Sequence, residues 1–282
     1  MTGTPRLPVP TWFAGCGNMG GAVVAGWRTA GLDLSSAVAI RPSGTPVEGV
    51  RTVPTFADAG RPPQLVVLGF KPQKLDEVAP ELRKFLSAKT VLVSMLAGVE
   101  AASLRERFTG VAAVVRAIPN LPVAIRRGVI ALYSEDAAQP TRQELSDLFG
   151  AVGYAPWLSD EAKLAGVGAV GGAGPAYVAR FIAALAKAGE KRGLSRELAH
   201  TVALETVLGT AWMAASTGED MESIARRVAS PKGTTQAGLA VLDRDEVLDQ
   251  LIAVAIEAAA RRGAELAQEA KSPSLAETAR LS

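Results

Sequence analysis

Six residues near the start of the chain, Gly15-Cys16-Gly17-Asn18-Met19-Gly20, constrain the fold more than any other feature. They stand directly after the β-branched and aromatic run Thr11-Trp12-Phe13 and directly before the small, helix-prone run Ala22 to Ala30, which Gly31 closes. A strand that turns on three glycines into a helix opens a β-α-β unit. In that setting Gly15 permits the tight turn, Gly17 lets backbone approach a pyrophosphate, and Gly20 allows close packing of helix on sheet. The helix start, with Asn18 and Met19, aims oriented N–H groups at phosphate oxygens. The motif points to a bound dinucleotide, and a purely structural turn is the alternative.

The alternation continues down the first half. Strand candidates lie at Ala37 to Arg41, Leu65 to Phe70, Val91 to Met95, Val111 to Ala117 and Val129 to Tyr133. Helix candidates separate them at Leu75 to Leu86, Ala101 to Phe108 and Arg142 to Gly150. This order predicts an α/β, Rossmann-like, doubly wound domain over residues 1–160, with a mainly parallel sheet covered on both faces. After about Asp160 the strand signals stop, and residues 161–282 are predicted to form an all-α domain. There Tyr177, Phe181 and Leu185 fall four residues apart, as do Val178 and Ile182, and Gly193 closes the helix. Ser195 is placed to cap the next helix, which runs to about Thr217 before Gly218; a last helix spans about Glu246 to Ala270. Alanine-rich helices with apolar stripes of this kind predict a homodimer or a higher homo-oligomer.

NAD-binding chains place an acidic residue about twenty residues past the glycine loop, on the ribose hydroxyls. Here the segment reads Ala39-Ile40-Arg41-Pro42-Ser43. The guanidinium of Arg41 and the hydroxyl of Ser43 favour a 2′-phosphate, so NADPH is the expected cofactor, with NADH as the second choice. An ordinary solvated role is the other reading of Arg41.

Composition narrows the class further. With 30 basic and 28 acidic residues and a formal charge of +2, no block of one sign offers a footprint for nucleic acid. Cys16 and His200 are single copies of their types, which excludes an internal disulfide and a Cys/His zinc cluster. No metal is expected. Met1 to Pro10 holds three prolines and no apolar run, matching neither a signal peptide nor an anchor, so a cytoplasmic protein is expected. Leu164 to Ala186 is long and mostly apolar, but its glycines and Pro175 predict a loop followed by a buried helix rather than a membrane span.

Several motifs, in order, resemble those of the pyrroline-5-carboxylate reductase family, from about Thr11 to Gln268. Phe13 to Gly20 is similar to that family's phosphate loop, and Gly69-Phe70-Lys71-Pro72-Gln73 resembles its AVKPQ strand end. Ser94 to Val99 resembles SIAAGV, and Arg116-Ala117-Ile118-Pro119-Asn120-Leu121-Pro122 resembles RxMPNTP. Gly172 to Tyr177 resembles GSGPAY, and Ser230-Pro231-Lys232-Gly233-Thr234-Thr235 resembles SPGGTT, the most distinctive of the set.

The resemblance implies an NADPH-dependent enzyme that reduces a C=N bond, converting 1-pyrroline-5-carboxylate to proline, with interlocked helices from two subunits. It also implies site residues. Lys71, Pro72, Ala97 and Asn120 would lie along the cofactor toward its nicotinamide end. Gly233, Thr234 and Thr235 would meet the substrate, with N–H groups holding its carboxylate and the Thr235 hydroxyl addressing the imine nitrogen. Glu161 matches a family acid near the substrate; a surface carboxylate at a helix start is the plainer reading.

The chain departs from the family pattern at four places. Gly171-Gly172-Ala173-Gly174 replaces SGSG and lacks two hydroxyls, Leu121 replaces a threonine, Lys232 replaces a glycine, and Arg227 stands where some members have asparagine. Three rivals stay open: a reductase of another cyclic imine, a β-hydroxyacid dehydrogenase, and a non-catalytic NADPH-binding protein. The dehydrogenases present a lysine early in the helix after the glycine-rich segment, whereas here the first lysine is Lys187. Cys16 reads as a small loop filler and His200 as a structural or solvated side chain.

Overall fold

The structure is a computed structural model that describes residues 6–271. Its contacts divide the chain into two compact units, one running to Ala173 and rejoined from Ala259 onward, the other spanning Gly174–Ala258.

Eight strands build the first unit: β1 (Thr11–Ala14), β2 (Ala37–Ile40), β3 (Arg51–Val53), β4 (Leu65–Leu68), β5 (Val91–Ser94), β6 (Ala113–Pro119), β7 (Gly128–Tyr133) and β8 (Gly153–Tyr154). They form one sheet in the order β3-β2-β1-β4-β5-β6-β7-β8. Every pairing is parallel except β6 with β7. The order steps outward from β1 in both directions, so the connecting helices fall on opposite faces.

Side-chain alternation along the strands produces two separate cores. Phe13, Ala37, Ala39, Leu65, Val67 and Val93 face one way, against Val23 and Trp27 of α1 (Asn18–Thr29) and Leu145, Leu148 and Phe149 of α4 (Gln139–Gly150). Trp12, Ala14, Val38, Val66, Leu68 and Leu92 face the other way, against Leu75 and Leu82 of α2 (Leu75–Arg83) and Leu104 of α3 (Ala101–Arg107). Trp27 sits between Phe13 and Phe149 at 5.9 and 5.6 Å and donates its indole N–H to the Leu148 carbonyl at 2.9 Å. That places α1 firmly over β1, where the phosphate loop begins.

The stretch from Leu164, expected as a loop and then a buried helix, is helical almost throughout and largely exposed. It comprises α5 (Lys163–Val167), a π-helical turn at Gly168–Gly172, and α6 (Gly174–Lys191), in which Ala186 is the buried residue. Pro175 lies in the first turn of α6, where its missing N–H removes no intrahelical bond, and glycines cost a helix only about 1 kcal/mol each. By length and composition Lys163–Lys191 is long and apolar enough to cross a membrane. α5 and the π-helical turn pack against β7 and β6, which is why the first unit extends to Ala173, past the division expected at residue 160.

The second unit continues with α7 (Arg196–Thr217), α8 (Met221–Val228), α9 (Thr234–Leu242) and the start of α10 (Val247–Lys271). Ser195 caps α7 as expected, its side chain accepting from the Leu198 N–H at 3.3 Å, and Gly218 ends it in the left-handed conformation. α6 and α7 meet through Ala186, Ala199 and Ala203, with Ile182 beside them. Large apolar side chains stay exposed on each of these helices, among them Phe181, Leu208, Trp212, Val241 and Leu251.

Candidate active site

The glycine loop leaves β1 at Gly15, whose N–H donates to the Ile40 carbonyl of β2 at 2.9 Å. Gly15 has φ 74°, and a Cβ there would come within 2.9 Å of Phe70 Cβ and 3.0 Å of Phe70 N. The constraint is mutual, because a Cβ on Gly69, at the end of β4, would lie 2.8 Å from the Gly15 carbonyl oxygen. The loop therefore lies against the end of β4 and is held by backbone on both sides. Gly17 immediately precedes α1, and a Cβ there would meet nothing within 4 Å. No side chain caps α1 among the described residues. The first-turn N–H groups, from Asn18 onward, thus have no side-chain cap, as a phosphate-binding helix start requires.

Gly20 has a different reason from the one expected. A Cβ there would meet Cys16 Sγ at 3.1 Å, whereas the sheet is farther off. The close approach of α1 to its surroundings is made about one and two-thirds turns later, at Gly26, where a Cβ would overlap the Val123 carbonyl. Cys16 itself is buried, as its role of loop filler requires. Burial pushes its thiol up to about 11, with the Arg41 guanidinium pulling the other way, so it is no thiolate at neutral pH.

A cleft of about 320 Å³ opens beside the loop, lined by Cys16, Gly17, Asn18, Arg28, Arg41 and Glu48 among others. Arg41 leaves the end of β2 and donates Nη1 to the Thr45 carbonyl at 3.0 Å. Ser43 shares a 2.9 Å hydrogen bond with the Thr45 hydroxyl. One turn thus carries both groups chosen for a 2′-phosphate. Met19 packs against the core under α1 and is partly buried.

Lys71 and Pro72 follow β4, Ala97 follows β5 and Asn120 follows β6. Since β1, β4, β5 and β6 are parallel neighbours, these residues and the glycine loop share the carboxyl edge of the sheet, where ligands of such sheets bind. Lys71 and Ala97 are exposed. Asn120 is buried, and both ends of its amide are engaged. Nδ2 donates to the Gly171 carbonyl at 2.9 Å, and Oδ1 accepts from the Val129 N–H at 2.9 Å.

Glu161 has a structural part that its position in the sequence did not reveal. Its Oε1 accepts from the Ala101 N–H, the first residue of α3, at 2.7 Å and from Arg116 Nη1 at 2.8 Å. Arg116 is buried in the middle of β6, so Glu161 neutralises an interior cation while capping α3. Its partners stand 45 and 60 residues away in the chain, a separation no local pattern reports.

In the second unit, Ser230 to Gly233 turns the chain into α9. The Gly233 N–H donates to the Ser230 carbonyl at 2.9 Å, and the first helical bond runs from the Ala237 N–H to the Gly233 carbonyl at 3.2 Å. The N–H groups of Thr234, Thr235 and Gln236 precede that bond and open outward from the helix start. Gln236 reaches back to accept from the Lys232 N–H at 2.7 Å. Lys232 has φ 60°, the conformation that suits a glycine. Arg227 pairs with Glu219 at 3.0 Å, Leu121 is exposed, and His200 is exposed on α7.

Residues 161–266 match the model for pyrroline-5-carboxylate reductase dimerisation domains, and residues 12–98 match that for coenzyme F420-dependent NADP oxidoreductases. The pyrroline-5-carboxylate reductase of Pseudomonas aeruginosa is 36% identical over 94% of this chain and 98% of its own length. The chain belongs to the pyrroline-5-carboxylate reductase family. Solved pyrroline-5-carboxylate reductases are similar along nearly the whole chain. That of Coxiella burnetii has a TM-score of 0.84 at 30% identity, covering 92% of this chain and 99% of its own. That of Plasmodium falciparum, with NADP bound, has a TM-score of 0.81 at 25% identity, covering 92% and 98%. Within this family, the glycine at position 171 is not forced by space, since a Cβ there would make only ordinary contacts with Val167 and Val129 at 3.8 and 3.9 Å.

Proposed function

We propose that this chain reduces 1-pyrroline-5-carboxylate to proline with NADPH as the reductant, as a cytoplasmic homodimer or larger homo-oligomer. The observation that carries the reading is one chain, 36% identical to a pyrroline-5-carboxylate reductase over 94% of its length, that keeps both an open phosphate cradle at Gly17 and an open helix start at Thr234 and Thr235.

Bound NADPH supplies the hydride that reduces the imine carbon. The chain holds and orients the reactants. The loop from Gly15 to Gly20 and the start of α1 hold the pyrophosphate, Arg41 and Ser43 take the 2′-phosphate, and Lys71, Pro72 and Ala97 line the path toward the nicotinamide. The N–H groups of Gly233, Thr234 and Thr235 hold the substrate carboxylate, and the Thr235 hydroxyl hydrogen-bonds the imine nitrogen as it gains electron density. Asn120 and Glu161 hold elements of the first unit together, Asn120 tying Gly171 to Val129 and Glu161 tying Ala101 to Arg116. The exposed apolar stripes of α6, α7 and α10 are the surface that a second copy covers.

Consumption of NADPH with 1-pyrroline-5-carboxylate and with the six-membered piperideine carboxylates, followed by its absorbance and with the product identified chromatographically, tests the reading. The five-membered substrate should turn over fastest and yield proline. Preference for a six-membered ring would move the chain to a sister activity, and no turnover with any cyclic imine would leave it a cofactor-binding protein.

A further inference from the structure

NAD-binding versions of this fold place an acid at the end of the second strand, where this chain has Arg41. The fold returns a carboxylate to the same cleft by another route. Glu48, on the loop between β2 and β3, lines the cleft together with Gly17, Asn18 and Arg41. Its Oε1 accepts from Arg28 Nη2 at 2.7 Å, and Arg28 lines that cleft as well.

This pair is seated by the backbone. Gly49 has φ 79°, and a Cβ there would meet Arg28 Cδ at 2.5 Å and Nε at 3.0 Å, so the stem of Arg28 lies directly over the chain that follows Glu48. The hydrogen bond from Arg28, and then its charge, hold the Glu48 carboxyl below the usual carboxylate range. Glu48 is therefore an anion wherever the protein is folded and working.

We propose that Glu48 is a specificity-determining residue for the dinucleotide: it engages Arg28, so that Arg41 meets a 2′-phosphate without help from a second arginine, and it offers a ribose hydroxyl an acceptor. Its charge opposes a phosphate dianion in the same cleft, while its oxygens suit the unphosphorylated ribose. The cleft then accepts both NADPH and NADH, with a narrower margin between them than two arginines would set. This inference rests on the cleft being the adenosine end of the cofactor site.

Calorimetric titration of the full chain with adenosine 2′,5′-bisphosphate and with adenosine 5′-monophosphate tests it without any turnover. The Glu48 side chain is 84% exposed, so Glu48→Gln leaves the packing alone. The variant should bind the bisphosphate about fivefold more tightly, the scale of one charge pair about 4 Å apart in bulk water, and the monophosphate no better than before. Adding Arg28→Gln should remove most of that gain. An equal effect on both nucleotides, or none on either, overturns the assignment of Glu48. Arg41→Gln separates the two levels: unchanged affinity for the bisphosphate in that variant would overturn the reading of the cleft itself.

Discussion

Asn120 and Gly171 are joined by a 2.9 Å hydrogen bond from the side-chain amide of the one to the carbonyl of the other, and the same amide accepts from the Val129 N–H at 2.9 Å. One buried side chain thus fastens the π-helical turn to β7, the strand that runs antiparallel to β6. Asn120→Leu takes a partner from a part-buried N–H and a part-buried carbonyl, which costs up to about 1 to 3 kcal/mol. Chemical denaturation should register that loss. Unchanged stability together with weaker NADPH binding would instead make Asn120 a cofactor contact alone.

The role proposed for the Thr235 hydroxyl is to address the imine nitrogen. Thr235→Val keeps the shape and deletes the hydroxyl, and groups acting on a transition state contribute about a hundredfold or more. We expect kcat to fall by about that factor, with NADPH affinity and thermal stability nearly unchanged. Steady-state rates within about twofold of the parent would reduce Thr235 to a helix-start residue.

Lys232 turns the chain at φ 60° where the family pattern has glycine. The left-handed conformation costs a side-chain-bearing residue about 1 to 2 kcal/mol, and glycine gives back about 0.4 to 1 kcal/mol through its freer unfolded chain. Lys232→Gly should accordingly hold or raise stability, by up to about 1.6 kcal/mol, while Lys232→Val should lower it. Thermal melts of the two variants, side by side, decide the matter.

Cys16 gives the first unit a dependence on alkaline pH. Its thiol is raised from 9.0 to about 11 in the folded chain, chiefly by burial. Above pH 9 the unfolded chain releases this proton first, so it binds fewer protons than the folded chain and the stability falls as pH rises. The contribution is whole below pH 9 and is lost between 9 and 11, at most about 3 kcal/mol. Denaturation midpoints at pH 8 and pH 10.5 should differ more for the parent than for Cys16→Ala. Equal differences would show that the thiol titrates alike in both states.

What was legible in the sequence was local. The alternation of strands and helices, the glycine loop and the Ser195 and Gly218 caps were readable because each depends on neighbours within a few residues. β3 escaped because its three residues, Arg51 to Val53, include one buried apolar side chain, and β8 has only two residues. The glycine-rich stretch was misjudged as a loop, since local propensity counts its glycines and Pro175 but not the packing on β6 and β7 that supports a helical path. Glu161, Gly26 and Glu48 gain their meaning from partners distant in the chain, Arg116, Val123 and Arg28.

Among the described residues of Gly174–Ala258, only Ala186, Ala199, Ala203 and Ile224 are buried hydrophobics. Four such side chains remove too little apolar surface from water to offset the ordering of so many helical residues. Most of the free energy that holds these helices must then come from association, which makes refolding a reaction of higher than first order and the unfolding equilibrium dependent on concentration. Diluting the protein should lower its melting temperature, and the same sample should be a different thermodynamic object at nanomolar and at micromolar concentration.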